Sequence, residues 1–566
     1  MDKLDADGRA GPIRGRRRPS LSLFPRLLAL LLIALAIAAC GADDQADDGP
    51  AASGATPRAP ADATLTVAVP SFWAETLDPS MDSQAGLQYH GPMYDHLAGV
   101  GPDGRLDARY GLLESWDPGD DATTYTWRLK QGIKWHDGIE VTSADISYSL
   151  GHYTRDEARC ESCPGLSELL DRVETPDRYT AVVYLNAPHV SFMHYFGPIV
   201  GDMPLLPAHR SHETERVIGT GPWKLSTRVP GESIEFTANL DYWDPERVPG
   251  FARLRVVAVA EPDMRAEMLK SGAVDMTVLR PSGRAWSTGE AQGDVASVRE
   301  AGFSIGGPRY VNTTVIRLFT ASLPSSLNHS LDFRKALALG IDAESIIDTV
   351  YDPGVATVAR GSAFFSPLSD GYDPDLPPYP HDPGEARRAL AAAGYDGETV
   401  YIFSAPSYGL TELLQVNEMI AEDLREVGMT VEVLRADYPE LLARHAQRPQ
   451  DFDDVMPAPL FHGVNYQTWP DVISGIKRYT TSGPQSLLTY HDPERGDRLY
   501  AELSAIVDPD ARAVRLKQLN REMYDEYWAI PIVWRNEVHG LRPGLSGWAP
   551  TDGTAFDLHL ETIRPS

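Results

Sequence analysis

Cysteine is scarce in this sequence, with three residues in 566. A chain of that length does not depend on a disulfide framework for its core, and it holds no four-cysteine zinc module. Positive charge is also short: 51 Lys and Arg face 80 Asp and Glu, for a formal charge of −29. Nucleic acid and anionic membrane surfaces both recruit basic patches, so the balance argues against either as a partner. No H-E-x-x-H, Walker P-loop or dinucleotide fingerprint occurs, and no repeat of solenoid type. What is present is the composition of a soluble globular protein, 42% hydrophobic and 23% charged with a mean hydropathy of −0.28. At 62.1 kDa the chain is too long for one compact core, and two or three domains are expected.

The long apolar run sits at the N-terminus. Arg16, Arg17, Arg18 and Arg26 precede or flank "LLALLLIALAIAAC", and the small residues Ala38 and Ala39 lead into Cys40. Basic residues, a short apolar stretch and small residues at its end form a secretory leader, expected to be removed as residues 1–39. A spanning helix would need about 20 apolar residues and a stop-transfer flank after them. Ile37-Ala38-Ala39-Cys40 resembles the bacterial lipobox, which implies that Cys40 is lipidated and becomes the mature N-terminus. Removal takes seven basic and three acidic residues and leaves a 527-residue chain at −33. Residues 40–62, rich in Ala, Gly, Pro and Asp, read as a flexible tether. Cys160 and Cys163 in "CESCPG" are expected to form a local disulfide outside the cytosol. A redox C-x-x-C is the alternative, and it wants a helix starting at its first cysteine. A zinc site would need two further ligands, for which only His152 is near.

Beyond the tether "TLTVAV" alternates, with Leu65, Val67 and Val69 on one face, and breaks at Pro70 into "SFWAETLDPS". "YTWRLKQGIKW" reads as a β-hairpin with Gln131-Gly132 at the turn. Thr142 and Asp145 make a capping-box pattern at the start of a helix. "SIEFTA" and "RLRVVAVA" are strand-like, and "EPDMRAEMLKSGAVDMTVL" reads as helix, Gly272 stop and strand. After "RYVNTTVIRL" helices and strands alternate. Asp332 to Val350 reads as helical with a restart near Asp342, and Asp382, Pro383, Glu385 and Gly394 punctuate a further helix. Leu413, Val416, Ile420, Leu424 and Val427 repeat at helical spacing before Gly428 and an alternating strand. A last helix leads to the apolar strand "AIPIVW". Such a chain can build one α/β region, cross to a second and return, which leaves a cleft between two lobes.

Four stretches carry a family resemblance: "LLESWDPGDDATTYTWRLKQGIKWHDGIEVTSADISYSL", "GTGPWKL" followed by "NLDYWD", "DFRKALALGID", and "GYDPDLPPYPHDPGEARRALAAAGY". In this order, over nearly the whole mature chain, they resemble the extracellular solute-binding proteins of family 5, the dipeptide- and oligopeptide-binding type that feed ABC importers. The resemblance implies an α/β, two-lobed periplasmic binding protein fold (class II, cluster C type) with an extra subdomain in the first lobe. Lobe 1 is expected over 63–308 with the insertion at about 85–215, lobe 2 over 309–528, and a return to lobe 1 over 529–566. Hinge segments are expected near Gly306–Tyr310 and Ala529–Trp534. A monomeric, non-enzymatic receptor without cofactor or metal is implied, lipid-anchored on the periplasmic side of a membrane and serving a permease and its ATPase. Gly219, Gly221 and Pro222 read as a turn, as does His136-Asp137-Gly138.

Ligand contacts in the resembling proteins come from the loop after the first strand, here Phe72, Trp73 and Glu75, from near Tyr94, and from an aromatic loop of the second lobe. That loop is "FHGVNYQTWPDV", which mixes polar and aromatic residues with neither helical nor strand period and puts His462, Asn465, Tyr466, Thr468, Trp469 and Asp471 forward as pocket residues. Many peptide-binding relatives carry a pattern like A-D-Y-x-D-P here, whose first aspartate pairs with the peptide's α-amine. Laid on it, Gln467 stands for the alanine, Thr468 for that aspartate, Trp469 for the tyrosine, Asp471 for the second acid and Val472 for the proline. A desolvated ammonium without a partner loses several kcal/mol. A peptide is therefore one reading of the ligand, and a sugar, metal chelate or other solute stacked on Tyr466, Trp469 and Trp73 is the other. Packing of Tyr466 and Trp469 against their own lobe is the bland alternative. One enzyme-like pattern occurs, Gly302-Phe303-Ser304-Ile305-Gly306, but a strand-like segment follows it where a nucleophile elbow needs a helix.

Overall fold

The alternation of "TLTVAV" becomes β1 (Thr64–Val69), with Leu65, Val67 and Val69 buried in one apolar cluster and Ala68 in another across the strand. This computed structural model describes residues 63–566 except 200, 211–216, 281–293, 320, 405–411, 436–457, 466–470, 484–485 and 487–488, and for 458–465 the backbone alone. The leader, Cys40, the tether, Tyr466, Thr468 and Trp469 lie outside the described residues. Among the described residues no helix is long and apolar enough to cross a membrane.

After β1 the chain builds an antiparallel sheet of its own from β2 (Leu113–Asp117), β3 (Thr124–Leu129), β4 (Leu170–Asp177) and β5 (Thr180–Leu185), in the order β2-β3-β5-β4. Between β3 and β4 lie α1 (Ser143–Tyr153) and α2 (Cys163–Leu169). Thr142 caps α1, its backbone N–H donating to Asp145 Oδ2 at 2.8 Å. Cys160 and Cys163 are joined in a disulfide, and α2 starts at the second of them. The hairpin expected across Gln131-Gly132 does not form: β3 pairs with β2 and β5 instead. The residues after Gly132 close a smaller turn, in which Trp135 N–H donates to the Ile139 carbonyl and Val141 N–H to that of Ile133, with Gly138 at φ 90°.

The chain then adds β6 (Trp223–Val229), β7 (Ser233–Ala238), β8 (Arg253–Ala258), β9 (Met276–Val278) and β10 (Ser304–Gly306) to the sheet of β1. It crosses over at 307–311 to a second sheet of β11 (Asn312–Leu318), β12 (Ala356–Val358), β13 (Thr399–Ser404), β14 (Thr430–Arg435), β15 (Ala458–Asn465) and β16 (Ala529–Arg535). The return, β17 (His539–Leu541), completes a seven-stranded first sheet in the order β10-β17-β9-β1-β8-β7-β6; the second sheet has six strands, β12-β16-β11-β15-β13-β14. β16 belongs to the second sheet, so the return crossing lies at 536–538, later than the Ala529–Trp534 hinge expected from the sequence. The apolar hexapeptide "AIPIVW" is buried because it lies between two neighbours, β12 and β11, inside that sheet.

Helices cover the second sheet. In α3 (Leu413–Val427) the predicted stripe is buried, and Gly428 ends the helix in the left-handed region at φ 108° before β14. Later come α4 (Val472–Thr480) and α5 (Pro493–Ser504), which share an apolar cluster built on Ile473, Ile476, Leu499 and Leu503. A second departure concerns "FHGVN", expected to lack a strand period: Phe461–Asn465 belongs to β15. β15 pairs with β11 on one side and β13 on the other, and a strand held by two ladders needs no polar–apolar alternation.

The two motifs that looked like separate turns dock on one another. Gly219 and Gly221 lie outside the left-handed region, and what they need is room: a Cβ at either would overlap the backbone of Met93. His136 clamps the same segment, its backbone N–H donating to Gly219 O at 2.9 Å, its Nδ1 accepting from Gly219 N–H at 3.1 Å and its Nε2 donating to Gly221 O at 3.0 Å. That arrangement requires the neutral imidazole, and burial pushes its pKa down to about 4. Gly219→Ala is expected to cost about 3 kcal/mol in a urea melt, the upper part of the overpacking range. Because an unfolded histidine binds a proton near pH 6.5 and His136 in the fold does so only near 4, its contribution is complete above about pH 6.5 and is lost as the pH falls toward 4. Melting temperatures of wild type and His136→Gln are expected to converge over that interval.

Candidate functional site

In an open α/β sheet the crevice at the carboxyl ends of parallel strands is a natural site, because connections diverge there and leave a hollow. β1 runs parallel to both β8 and β9, and the ends of all three open onto a cavity of about 210 Å³. Val69 and Pro70 follow from β1, Ala260 and Pro262 from β8, and Val278 to Arg280 from β9. The strand ends beside the crossings supply Asn312, Arg535 and His539, the return crossing supplies Glu537, and the C-terminal segment adds Ala555, Phe556 and Leu558.

Charge in this wall is largely satisfied from within the protein. Arg535 is buried between two carboxylates, Glu412 just before α3 with an Oε1 at 3.2 Å from its Nε and Glu537 with Oε2 at 2.9 Å from Nη1. Burial raises the Glu412 carboxyl, and Arg535 opposes that rise. Arg265 donates to the carbonyls of Val259 and Ala260 at 2.9 and 2.8 Å, and Arg280 pairs with Asp294 at 3.3 Å and with Asp263. His539 is held neutral, its pKa pushed down to about 3 by burial and then by Arg265 and Arg535. A site of this kind offers apolar surface, polar edges and guanidinium groups already engaged, which suits binding by fit more than proton transfer.

Of the residues expected in the first lobe, Trp73 lines this cavity, 41% exposed. Phe72 points into the core, edge-on to Tyr89 with ring centroids 5.9 Å apart. Tyr94 is also buried, its hydroxyl donating to Leu77 O at 3.2 Å. Glu75 serves the β6–β7 hairpin, accepting from Gly231 N–H at 2.7 Å, while Arg228 donates to its carbonyl at 3.1 Å. Trp73 and Glu75 both sit in the left-handed region, at φ 54° and 49°, so a strained turn separates one side chain from the next.

In the second lobe, β15 carries His462 opposite Ile316 and Asn465 opposite Thr313. Thr313 follows Asn312 of the cavity wall, so the chain leaves β15 beside the cavity. Tyr466, Thr468 and Trp469 come next and are outside the described residues. Asp471 is buried as the N-cap of α4, with Oδ1 accepting from Ile473 N–H at 3.1 Å and Oδ2 from the Ser474 hydroxyl. Both of its oxygens are thus engaged in starting a helix. Arg535, Glu537 and His539 were missed in the sequence, although a polar residue directly after the apolar run "AIPIVW" is a usable signal for a strand end. Phe556 had no such signal, since it lies in a segment without regular structure.

Two other features do not compete with this site. Ser304 of the G-x-S-x-G pattern is in β10, paired with Leu541 of β17, with no helix after Gly306. A cavity of about 40 Å³ bordered by Asp95, His96, Arg247, His559 and Glu561 has room for a water or two, and its charges pair internally, as Arg247 with Glu561 at 2.7 Å. Among the described residues no cluster of histidine, cysteine and carboxylate is arranged to hold a metal.

The sequence and the fold match those of known proteins. Di/tripeptide-binding protein 1 of Pseudomonas aeruginosa (strain UCBPP-PA14) is 25% identical over 362 residues, 59% of this chain and 64% of that protein, so the chain spans less than two thirds of this relative's length. Oligopeptide-binding protein AppA of Bacillus subtilis (strain 168) is 22% identical over 559 residues, 94% of this chain and 96% of that protein. The solved structure of NikZ from Campylobacter jejuni, in complex with Ni(L-His), superposes with a TM-score of 0.67 at 18% identity, covering 89% of this chain and all of that one. That likeness gives the two-lobed fold of periplasmic binding proteins. The model of the bacterial extracellular solute-binding proteins, family 5 Middle, matches residues 107–484. The chain belongs to the bacterial extracellular solute-binding proteins of family 5.

Proposed function

We propose that this protein is the solute receptor of an ABC importer, not an enzyme, and that it captures a peptide or peptide-like solute at the strand-end cavity and delivers it to a membrane permease. The cavity itself carries the reading: it lies at the ends of β1, β8 and β9, it is bounded by Asn312, Arg535, Glu537 and His539 at and beside the crossings between the sheets, and Asn465 at the end of β15 pairs with Thr313 next to this wall. A solute held there touches both lobes, so closure about the crossings buries it. The receptor is tethered through residues 40–62 to a lipid on Cys40, placing it on the periplasmic side of a membrane as a monomer. The peptide-binding names of two relatives support a peptide ligand. Thr468, in the place of the amine-binding aspartate, favours a second reading in which the solute has no free α-amine, and a structural neighbour solved with a nickel–histidine ligand supports a non-peptide solute.

Mass spectrometry of small molecules that co-purify with the protein separates the two readings: di- or oligopeptides support the first, and a single sugar or metal chelate supports the second. Titration with the recovered solute, followed by tryptophan fluorescence, is expected to show about tenfold weaker binding for Trp73→Ala, the loss of about 1.4 kcal/mol of ring contact. No change in affinity would remove Trp73 from the site. Cys40→Ser is expected to move the protein from the detergent phase to the aqueous phase in a phase-partition assay.

A further inference from the structure

The lobes also meet through residues that belong to neither crossing. Glu168, at the end of α2, lies 2.9 Å from Nζ of Lys477, and Glu161 lies 3.2 Å from Nη1 of Arg478. Nearby, Val190 N–H donates to Ser504 O at 3.0 Å, Val190 packs against the apolar cluster of α4 and α5, and the rings of His189 and Tyr500 are 6.2 Å apart. The acidic side belongs to the inserted subdomain, and the basic side to helices of the second lobe.

Local chemistry positions both halves. Glu161 sits inside the four-residue loop closed by the Cys160–Cys163 disulfide, and Glu168 is on the helix that starts at Cys163. Lys477 and Arg478 are consecutive in the last turn of α4, where the helix dipole favours cations. The same helix is capped by Asp471, six positions after Asn465 ends β15. Nine residues make α4 about 13 Å long, so one rigid rod runs from Asp471 to these ion pairs. In a chain of formal charge −29, two adjacent bases meeting two acids across the lobes run against the general repulsion.

We propose that the disulfide-closed turn and α2 form a clasp on α4, in which Glu161 and Glu168 hold Arg478 and Lys477 and set the balance between closed and open lobes. It rests on the receptor reading only in taking the lobes to move. The pairs are partly exposed, with side chains 53% and 41% accessible for Glu161 and Arg478 and 61% and 23% for Glu168 and Lys477. Each therefore shifts the closed-to-open ratio by about two- to fivefold, and salt weakens the effect.

The test uses the full-length, ligand-free protein, with dyes on one engineered surface cysteine per lobe, and reads the interlobe distance distribution by single-molecule energy transfer. Glu161→Lys with Glu168→Lys is expected to raise the open-to-closed ratio at least about four- to twenty-five-fold at low salt. At 1 M salt the difference should shrink, and adding Lys477→Glu with Arg478→Glu should restore the closed population. Melting temperatures within a degree of wild type verify that the variants fold. Cys160→Ser with Cys163→Ser is expected to open the lobes to a smaller degree, through a looser acidic turn. An unchanged distribution in the Glu→Lys pair, or opening that the complementary reversals do not restore, overturns the clasp. No ligand enters the measurement, so the clasp can fail while solute capture stands, and the reverse.

Discussion

Two chain crossings running side by side are the constraint on which the rest of this molecule depends. In the first sheet Gly306 of β10 faces His539 of β17, and in the second Asn312 of β11 faces Arg535 of β16. Between them, Glu537 N–H donates to Pro308 O at 3.0 Å and Tyr310 N–H to Asn536 Oδ1 at 3.0 Å. The linkers approach so closely that a Cβ on Gly307 would overlap the carbonyl oxygen of Glu537. Its glycine is needed for room, since its φ lies outside the left-handed region. A paired ribbon of this kind fixes the lobes against sideways slip and leaves bending as the available motion.

The cavity follows from the same ribbon. Strands that cross from one sheet to the other carry their polar ends into the gap, which is why Asn312, Arg535, Glu537 and His539 meet beside the ends of β1, β8 and β9. Arg535 is the electrostatic centre, because it joins Glu537 on its own linker to Glu412 at the start of a second-lobe helix. Buried charges of this kind contribute little net stability and much geometric definition, as each removal leaves its partner uncompensated. The inserted subdomain, through α2, supplies further contact between the lobes at α4.

Local signals in the sequence translated directly where the physics was local. Thr142 with Asp145, Asp382 with Glu385, and Gly428 after Val427 ended or began helices as read, because a cap is completed within a few residues. The hairpin across Gly132 failed because β3 found better partners on both edges, a choice made by residues up to about 60 positions away. "FHGVN" looked unlike a strand because it lies between two neighbouring strands, and that position is invisible in a local pattern.

For the site, the sequence by itself determined the family pattern, the turn after β1 and the mixed polar and aromatic run that ends at Asp471, all of which are matters of residue identity in order. Only the tertiary structure decided that Trp73 faces the cavity while Phe72 and Tyr94 fill the core, that Glu75 ties down a hairpin and that Asp471 caps a helix. It also brought Arg535, Glu537, His539 and Phe556 to Val69 and Pro70 across more than 450 positions of chain. Side-chain direction at a strained turn and the meeting of distant strand ends are set by packing over the whole fold, and no local run of residues encodes either one.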